Sequence, residues 1–220
     1  MVNTFVHAWS FPTAKKLERI AMTLTAQFMR MRDLVLAPRN TWSVIADENA
    51  TSQSIYTTWV LWLAAIPLAA SLMALAIYGS QLPLGLSLSL HMGSATALLS
   101  YAGDLLEVLA LALCVSALAP IFGGSKDRVQ ALKAVAYAYT PIWIASALML
   151  LPPTWPLAAA IGHVADGYAI YLLYIGLPAT MRCPQDRAAG YVMVAVIISL
   201  LLMMLGALLL PPLALLGRIL

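Results

Sequence analysis

Three stretches of the chain carry no Asp, Glu, Lys or Arg: those between Glu48 and Asp104, between Lys133 and Asp166, and between Arg187 and Arg218. Each exceeds the roughly 20 residues that take an α-helix across the hydrocarbon core of a bilayer. Composition agrees. Hydrophobic residues make up 62% of the chain and charged residues 10%, with a mean hydropathy of +0.88. An ordinary soluble domain is about 45–50% apolar and about 25% charged. These values argue against a water-soluble globule and against a disordered chain. The fold class expected is an all-α integral membrane protein that crosses the bilayer several times.

Residues 1–55 read as an extramembrane N-terminal region and residues 56–220 as the membrane domain. Within the first, Ala14–Val35 has helical period. Leu17, Ile20, Leu24, Phe28, Met31 and Val35 fall on one face, and Lys15, Arg19, Arg30 and Asp33 fall opposite. A basic amphipathic helix of this kind either lies in the membrane interface or packs on the protein's own bundle. Pro38 ends it, and Thr41–Ala46 reads as a second short helix with Trp42 as an interfacial anchor. Five spans are predicted, at Tyr56–Tyr78, Ala95–Ala119, Ala131–Leu151, Trp155–Met181 and Ala188–Leu215. Pro141 is expected to bend the third. The first 50 residues lack an apolar core of signal-peptide length, so the first span is expected to direct insertion.

The basic residues set an orientation. Lys15, Lys16, Arg19, Arg30, Arg32 and Arg39 precede the first span. Lys126, Arg128 and Lys133 fall between the second and third, and Arg182 and Arg187 between the fourth and fifth. The two remaining loops, Ser80–Ser94 and Pro152–Thr154, have none. The N-terminus is therefore expected in the cytoplasm and the C-terminus outside, with Arg218 alone dissenting. Cys114 and Cys183 permit at most one disulfide. One falls in a span and one in a loop, so two free thiols are expected.

Four ionisable residues fall inside predicted spans: Asp104, Glu107, His163 and Asp166. Charges at membrane depth are costly and mark functional sites by default. Each pair is three residues apart and so shares a helix face. Both host spans run from outside to inside. At 1.5 Å per residue, Asp104 and Glu107 sit roughly 13–18 Å below the outer end and His163 and Asp166 roughly 12–17 Å. One polar pocket at common depth follows. Its chemistry suits a divalent cation or a proton relay; the alternative is that the groups neutralise one another. Ser100, Tyr137, Tyr171 and Tyr174 are candidates to line it, since Tyr hydroxyls in a bilayer need partners. In the loop Phe122–Lys133, Gly123 and Gly124 permit a tight turn and Ser125 reads as the next helix's N-cap. The loop's spacing does not match a phosphate loop.

Three segments carry a family resemblance: LVLAPRNTWSVIADE at Leu34–Glu48, LAPIFGGSKDRVQALKAVAYAYTPIWIA at Leu118–Ala145, and YAIYLLYIGLPATMRCPQDRAAGY at Tyr168–Tyr191. Together they resemble the YIP domain family of Ypt/Rab-interacting multi-pass membrane proteins, in its bacterial branch. The resemblance implies five spans, a cytoplasmic N-terminus and, for a bacterial member, the inner membrane. Eukaryotic members act in the early secretory pathway and bind Rab-type GTPases. This chain lacks their long cytoplasmic tail and its acidic motif.

No Walker loop, dinucleotide fingerprint, HExxH or GxSxG is present, so no catalytic residue is assigned and an enzyme is not expected. The first reading is a non-enzymatic scaffold or membrane-organising protein. Its partners would be the lipid bilayer and proteins held through the N-terminal helix; nucleic acid is not among them. The alternative is a small cation- or proton-coupled transporter or channel built on the carboxylate/His pocket; five spans allow no inverted duplication within one chain, so its pathway would need a homo-oligomer interface or the bundle centre. No cofactor is expected beyond a divalent cation in that pocket.

Overall fold

The computed structural model describes residues 14–78, 86–151 and 156–216. They are helices and short connections, with no strand among them. In chain order the helices are α1 (Ala14–Leu36), α2 (Pro38–Asp47), α3 (Ser52–Ile55), α4 (Leu61–Tyr78), α5 (Leu86–Leu118), α6 (Arg128–Ala138), α7 (Thr140–Ala145), α8 (Pro156–Met181) and α9 (Gln185–Leu216). A π-helical turn, Tyr56–Val60, fuses α3 to α4, and a 3-10 turn, Ala119–Phe122, prolongs α5.

Four segments are long and apolar enough to cross a membrane: Ser52–Ile77, Gly93–Phe122, Leu157–Met181 and Gln185–Leu209. The predicted third span is not a fifth such helix. It is assembled from α6, α7 and a 3-10 turn at Ser146–Leu150. Pro141 sits in the first turn of α7. There its missing N–H costs nothing, whereas inside a continuous helix it would remove a bond and clash with the preceding turn. The interruption is confined to Tyr139, whose backbone stays right-handed helical at φ −74° and ψ −12° and whose carbonyl accepts from the Trp143 N–H at 3.2 Å.

The N-terminal helices do not stand apart from the bundle. The single residue Ala37 joins α1 to α2, and the two fold back into a V closed by the Arg30–Glu48 ion pair. The Arg30 guanidinium also donates to the Tyr137 hydroxyl at 3.0 Å and lies 5.9 Å from the centre of its ring. Burial works against the Arg30 charge, but Glu48 and Tyr137 outweigh it and hold the pKa above its ordinary value. At the tip of the V, the carbonyl of Val35 accepts from Tyr168 at 2.6 Å. Tyr168 lies near the middle of α8, so the V runs alongside the bundle and not beyond its end.

What packs is also different from the sequence expectation. Leu34, outside the predicted apolar face of α1, is fully buried, while Phe28 and Val35 on that face are exposed. Trp42 is not an interfacial anchor. It is 1% exposed, edge-on to Tyr137 at 6.3 Å, and seated over Gly176 of α8. Beneath it, Lys133 is buried and donates from Nζ to the carbonyls of Ile45 at 2.7 Å and Glu48 at 2.6 Å. Gln130 donates to Ala46 at 3.0 Å. These are the last carbonyls of α2, which a helix cannot satisfy for itself, and a cation is favoured at that end.

The same end of the bundle is tied by its turns. Gly123 takes φ +76°, a conformation that favours glycine. Ser125 donates from its backbone N to the Met181 carbonyl at 2.7 Å and from Oγ at 3.2 Å. It is therefore not the N-cap of α6; Asp127 is, accepting from the N–H groups of Val129 and Gln130. Phe122 stacks on Tyr191 at 4.7 Å. Cys114 and Cys183 are both free, and burial pushes the Cys183 thiol up.

A Cβ at Gly176 would fall 2.7 Å from the Trp42 ring. Helix propensity alone makes Gly→Ala favourable by about 1 kcal/mol. Overpacking of a tight contact costs about 1–3 kcal/mol. Gly176→Ala is therefore expected to destabilise the wild type but to stabilise a Trp42→Ala background. Denaturation of the four proteins in detergent reads the change of sign.

Candidate functional site

At mid-bundle the apolar helices do not close completely. They leave a cavity of about 470 Å³. Pro67 of α4 lines it, with Asp104, Glu107 and Leu111 of α5. The broken third segment contributes Tyr139, Ile142, Trp143 and Ser146, α8 contributes Asp166, Ile170 and Leu173, and α9 contributes Ser199, Leu200 and Met203. Tyr139, Ile142, Trp143 and Ser146 recur at the i, i+3, i+4, i+7 spacing of one helical face, and the Tyr139 and Trp143 rings lie 5.8 Å apart on it.

The polar groups are connected. The Tyr139 hydroxyl donates to Glu107 Oε1 at 2.8 Å. Ser199 Oγ donates to the same oxygen at 2.9 Å and lies 2.8 Å from the Tyr139 hydroxyl. The three side chains come from α5, the break after α6, and α9, so the triangle holds three elements together across the cavity. Asp104 lines the same space without a hydrogen bond or ion pair among the described residues.

Of the four ionisable residues singled out in the sequence, the fold brings Asp104, Glu107 and Asp166 to one cavity. It does not bring His163. That imidazole does not line the cavity; its side chain is 84% exposed, with Nδ1 3.7 Å from Asp166 Oδ2. Among the described residues no three His, Cys, Asp or Glu side chains form a group that could hold a metal ion. The four residues thus divide: three carboxylates lie on the wall of a mostly apolar chamber and His163 lies outside it, beside Asp166. Ser100, Tyr137, Tyr171 and Tyr174 do not line it either. Tyr137 faces the N-terminal V, between Arg30, Trp42 and Trp59. Tyr171 packs on Tyr168 at 5.6 Å, and Tyr174 lies against the core cluster.

Sequence reasoning missed Ser199 and Trp143, and of the two tyrosines able to satisfy the ionisable groups, Tyr137 and Tyr139, it put the wrong one on the cavity. The tyrosines at 137 and 139 sit two residues apart, on nearly opposite sides of a helix, so the choice between them needed a second element as reference. Tyr139→Phe and Ser199→Ala each remove one of two donors to a carboxylate. A lost bond to a charged group costs about 1.5–3 kcal/mol, so each variant is expected to lower stability by that order. Because both serve one oxygen, the double variant should depart from additivity. Thermal melts of the three variants beside wild type test this.

Comparison with known proteins bears on most of the chain. The sequence pattern of the Yip1 domain family matches residues 32–207, from the tip of the N-terminal V through most of α9. Two relatives are the proteins named "Inner membrane protein YohC" in Escherichia coli K12 and in Escherichia coli O6:H1 strain CFT073. Each is 29% identical over 156 residues, covering 70% of this chain and 80% of the relative. No solved structure matches. With its apolar helices and this match, the chain belongs to the Yip1 family of multi-pass membrane proteins.

Proposed function

We propose that this protein is a non-enzymatic membrane-organising protein of the bacterial inner membrane, and that the N-terminal V is its working part. One observation carries the reading: the V lies alongside α8 and turns large apolar side chains away from the bundle. Phe28, Leu36 and Val44 are 65%, 74% and 58% exposed. The bundle end beside it gathers Lys126, Arg128, Arg182 and Arg187 in the turns that Ser125 ties together. By the bias of basic residues toward the cytoplasmic side, that end faces the cytoplasm. The segmented third stretch then makes the fifth crossing and the C-terminus lies outside.

In that placement the V adds volume to the cytoplasmic leaflet alone. Phe28, Leu36 and Val44 enter the acyl region, Arg32 is neutralised by Asp33 at 2.7 Å, and the long stem of Arg39 carries its charge toward headgroups. A wedge in one leaflet favours curved bilayers and makes binding sensitive to packing and anionic lipid. Full-length protein is reconstituted into large and small vesicles containing anionic phospholipid. Wild type is expected to favour small vesicles several-fold. The triple variant Phe28→Ser/Leu36→Ser/Val44→Ser should lose that preference with an unchanged melting temperature. Equal partitioning of the two proteins would sink the wedge.

A second reading, a cation- or proton-coupled transporter, is favoured by the three carboxylates on one mid-bundle cavity. It expects Asp104→Asn to abolish cation or proton flux in proteoliposomes while the protein melts normally. Flux unchanged by that substitution removes the reading.

A further inference from the structure

The cavity has properties that neither a bare proton site nor a metal site needs. It is far larger than an ion. Its floor is hydrocarbon and indole, from buried Leu111, Leu173 and Trp143. Its wall includes Ile170 of α8 and Leu200 and Met203 of α9, which are 43%, 50% and 57% exposed. The most exposed apolar lining thus comes from α8 and α9. The volume is in the range of pockets that enclose small organic ligands.

Charge narrows the class further. Among the described residues three carboxylates line the cavity, and no Lys, Arg or His does. Glu107 has two hydroxyl donors and Asp166 has His163 beside it. Asp104 has no hydrogen-bond or ion-pair partner among the described residues. An ionised carboxylate at this depth is costly, and the cost is relieved either by a proton or by a positive charge beside it. The π faces of Tyr139 and Trp143 at the same cavity attract a cation as well. An anion or a phospholipid phosphate is repelled by the same wall.

We propose that this cavity binds a lipophilic organic monocation, a protonated amine or onium ion on a hydrophobic body, entering from the bilayer between α8 and α9, with Asp104 as its counter-charge. The inference rests on the cavity of the transport reading but concerns binding only. Binding without flux would leave it standing and remove transport. Flux of small ions without binding would do the reverse.

The test compares two ions of the same shape and opposite charge. Tetraphenylphosphonium and tetraphenylborate are titrated calorimetrically into the purified full-length protein in an uncharged detergent. The phosphonium is expected to bind one per chain and the borate at least tenfold more weakly. Asp104→Asn should cost the phosphonium at least tenfold, with folding checked by its melt. Met203→Trp, on the exposed α9 wall, should weaken phosphonium binding several-fold by narrowing the cavity and serves if Asp104→Asn does not fold. Equal binding of the two ions would reduce the cavity to a greasy pocket and overturn the proposal. So would phosphonium affinity that neither substitution alters.

Discussion

The buried ammonium of Lys133 is the interaction on which the arrangement of the basic end of the bundle depends. A lysine 1% exposed in a run of small apolar residues is tolerable only if its donors are used. Here they are used on carbonyls at the end of α2 that have no partner of their own. Each group solves the other's problem, and neither solution exists without the other. With α2 fixed in this way, Trp42 is delivered onto Gly176, Glu48 is delivered to Arg30, and Tyr137 is enclosed between two tryptophans. The N-terminal V is therefore part of the folded core, which agrees with a family pattern that begins at residue 32, inside α1.

The molecule divides by packing rather than by domains. One end is dense with aromatic contacts and satisfied charges. The middle is hollow, and its polar groups are few and strung across the gap by Glu107, Tyr139 and Ser199. Both features come from the third segment. Its first half, α6, supplies Lys133 and Tyr137 to the dense end; the face that begins at Tyr139 supplies that residue and Trp143 to the cavity.

Much of this was legible in the sequence because absence of charge is a one-dimensional property. The four long apolar helices, the N-terminal helix and the interruption at Pro141 all leave a mark along the chain. So did the common depth of Asp104, Glu107 and Asp166, which needs only the rise of a helix and the direction of each span. What was not legible depends on azimuth and on distant partners. His163 is three residues from Asp166, about 60° around the helix, and that is enough to leave it outside the cavity. Trp42 has the composition of an interfacial aromatic, and only Gly176, far along the chain, makes it a core residue. Lys133 read as a loop charge that orients the protein, because a cation that caps a helix looks the same in one dimension as one that faces headgroups. Ser125 read as a cap for want of knowing that Met181 lies beside it.

The tie between the two turns at the basic end has a mechanical consequence. Ser125 grips the Met181 carbonyl with both its backbone and its hydroxyl, and Phe122 lies flat on Tyr191. The feet of α5, α6, α8 and α9 are thereby pinned to one point. A second tie, the Glu107–Tyr139–Ser199 triangle, lies about two turns of α9 beyond Tyr191. Two ties at separate heights fix both the spacing and the relative tilt of the helices they join, as two bolts fix a bracket that one bolt would leave free to turn.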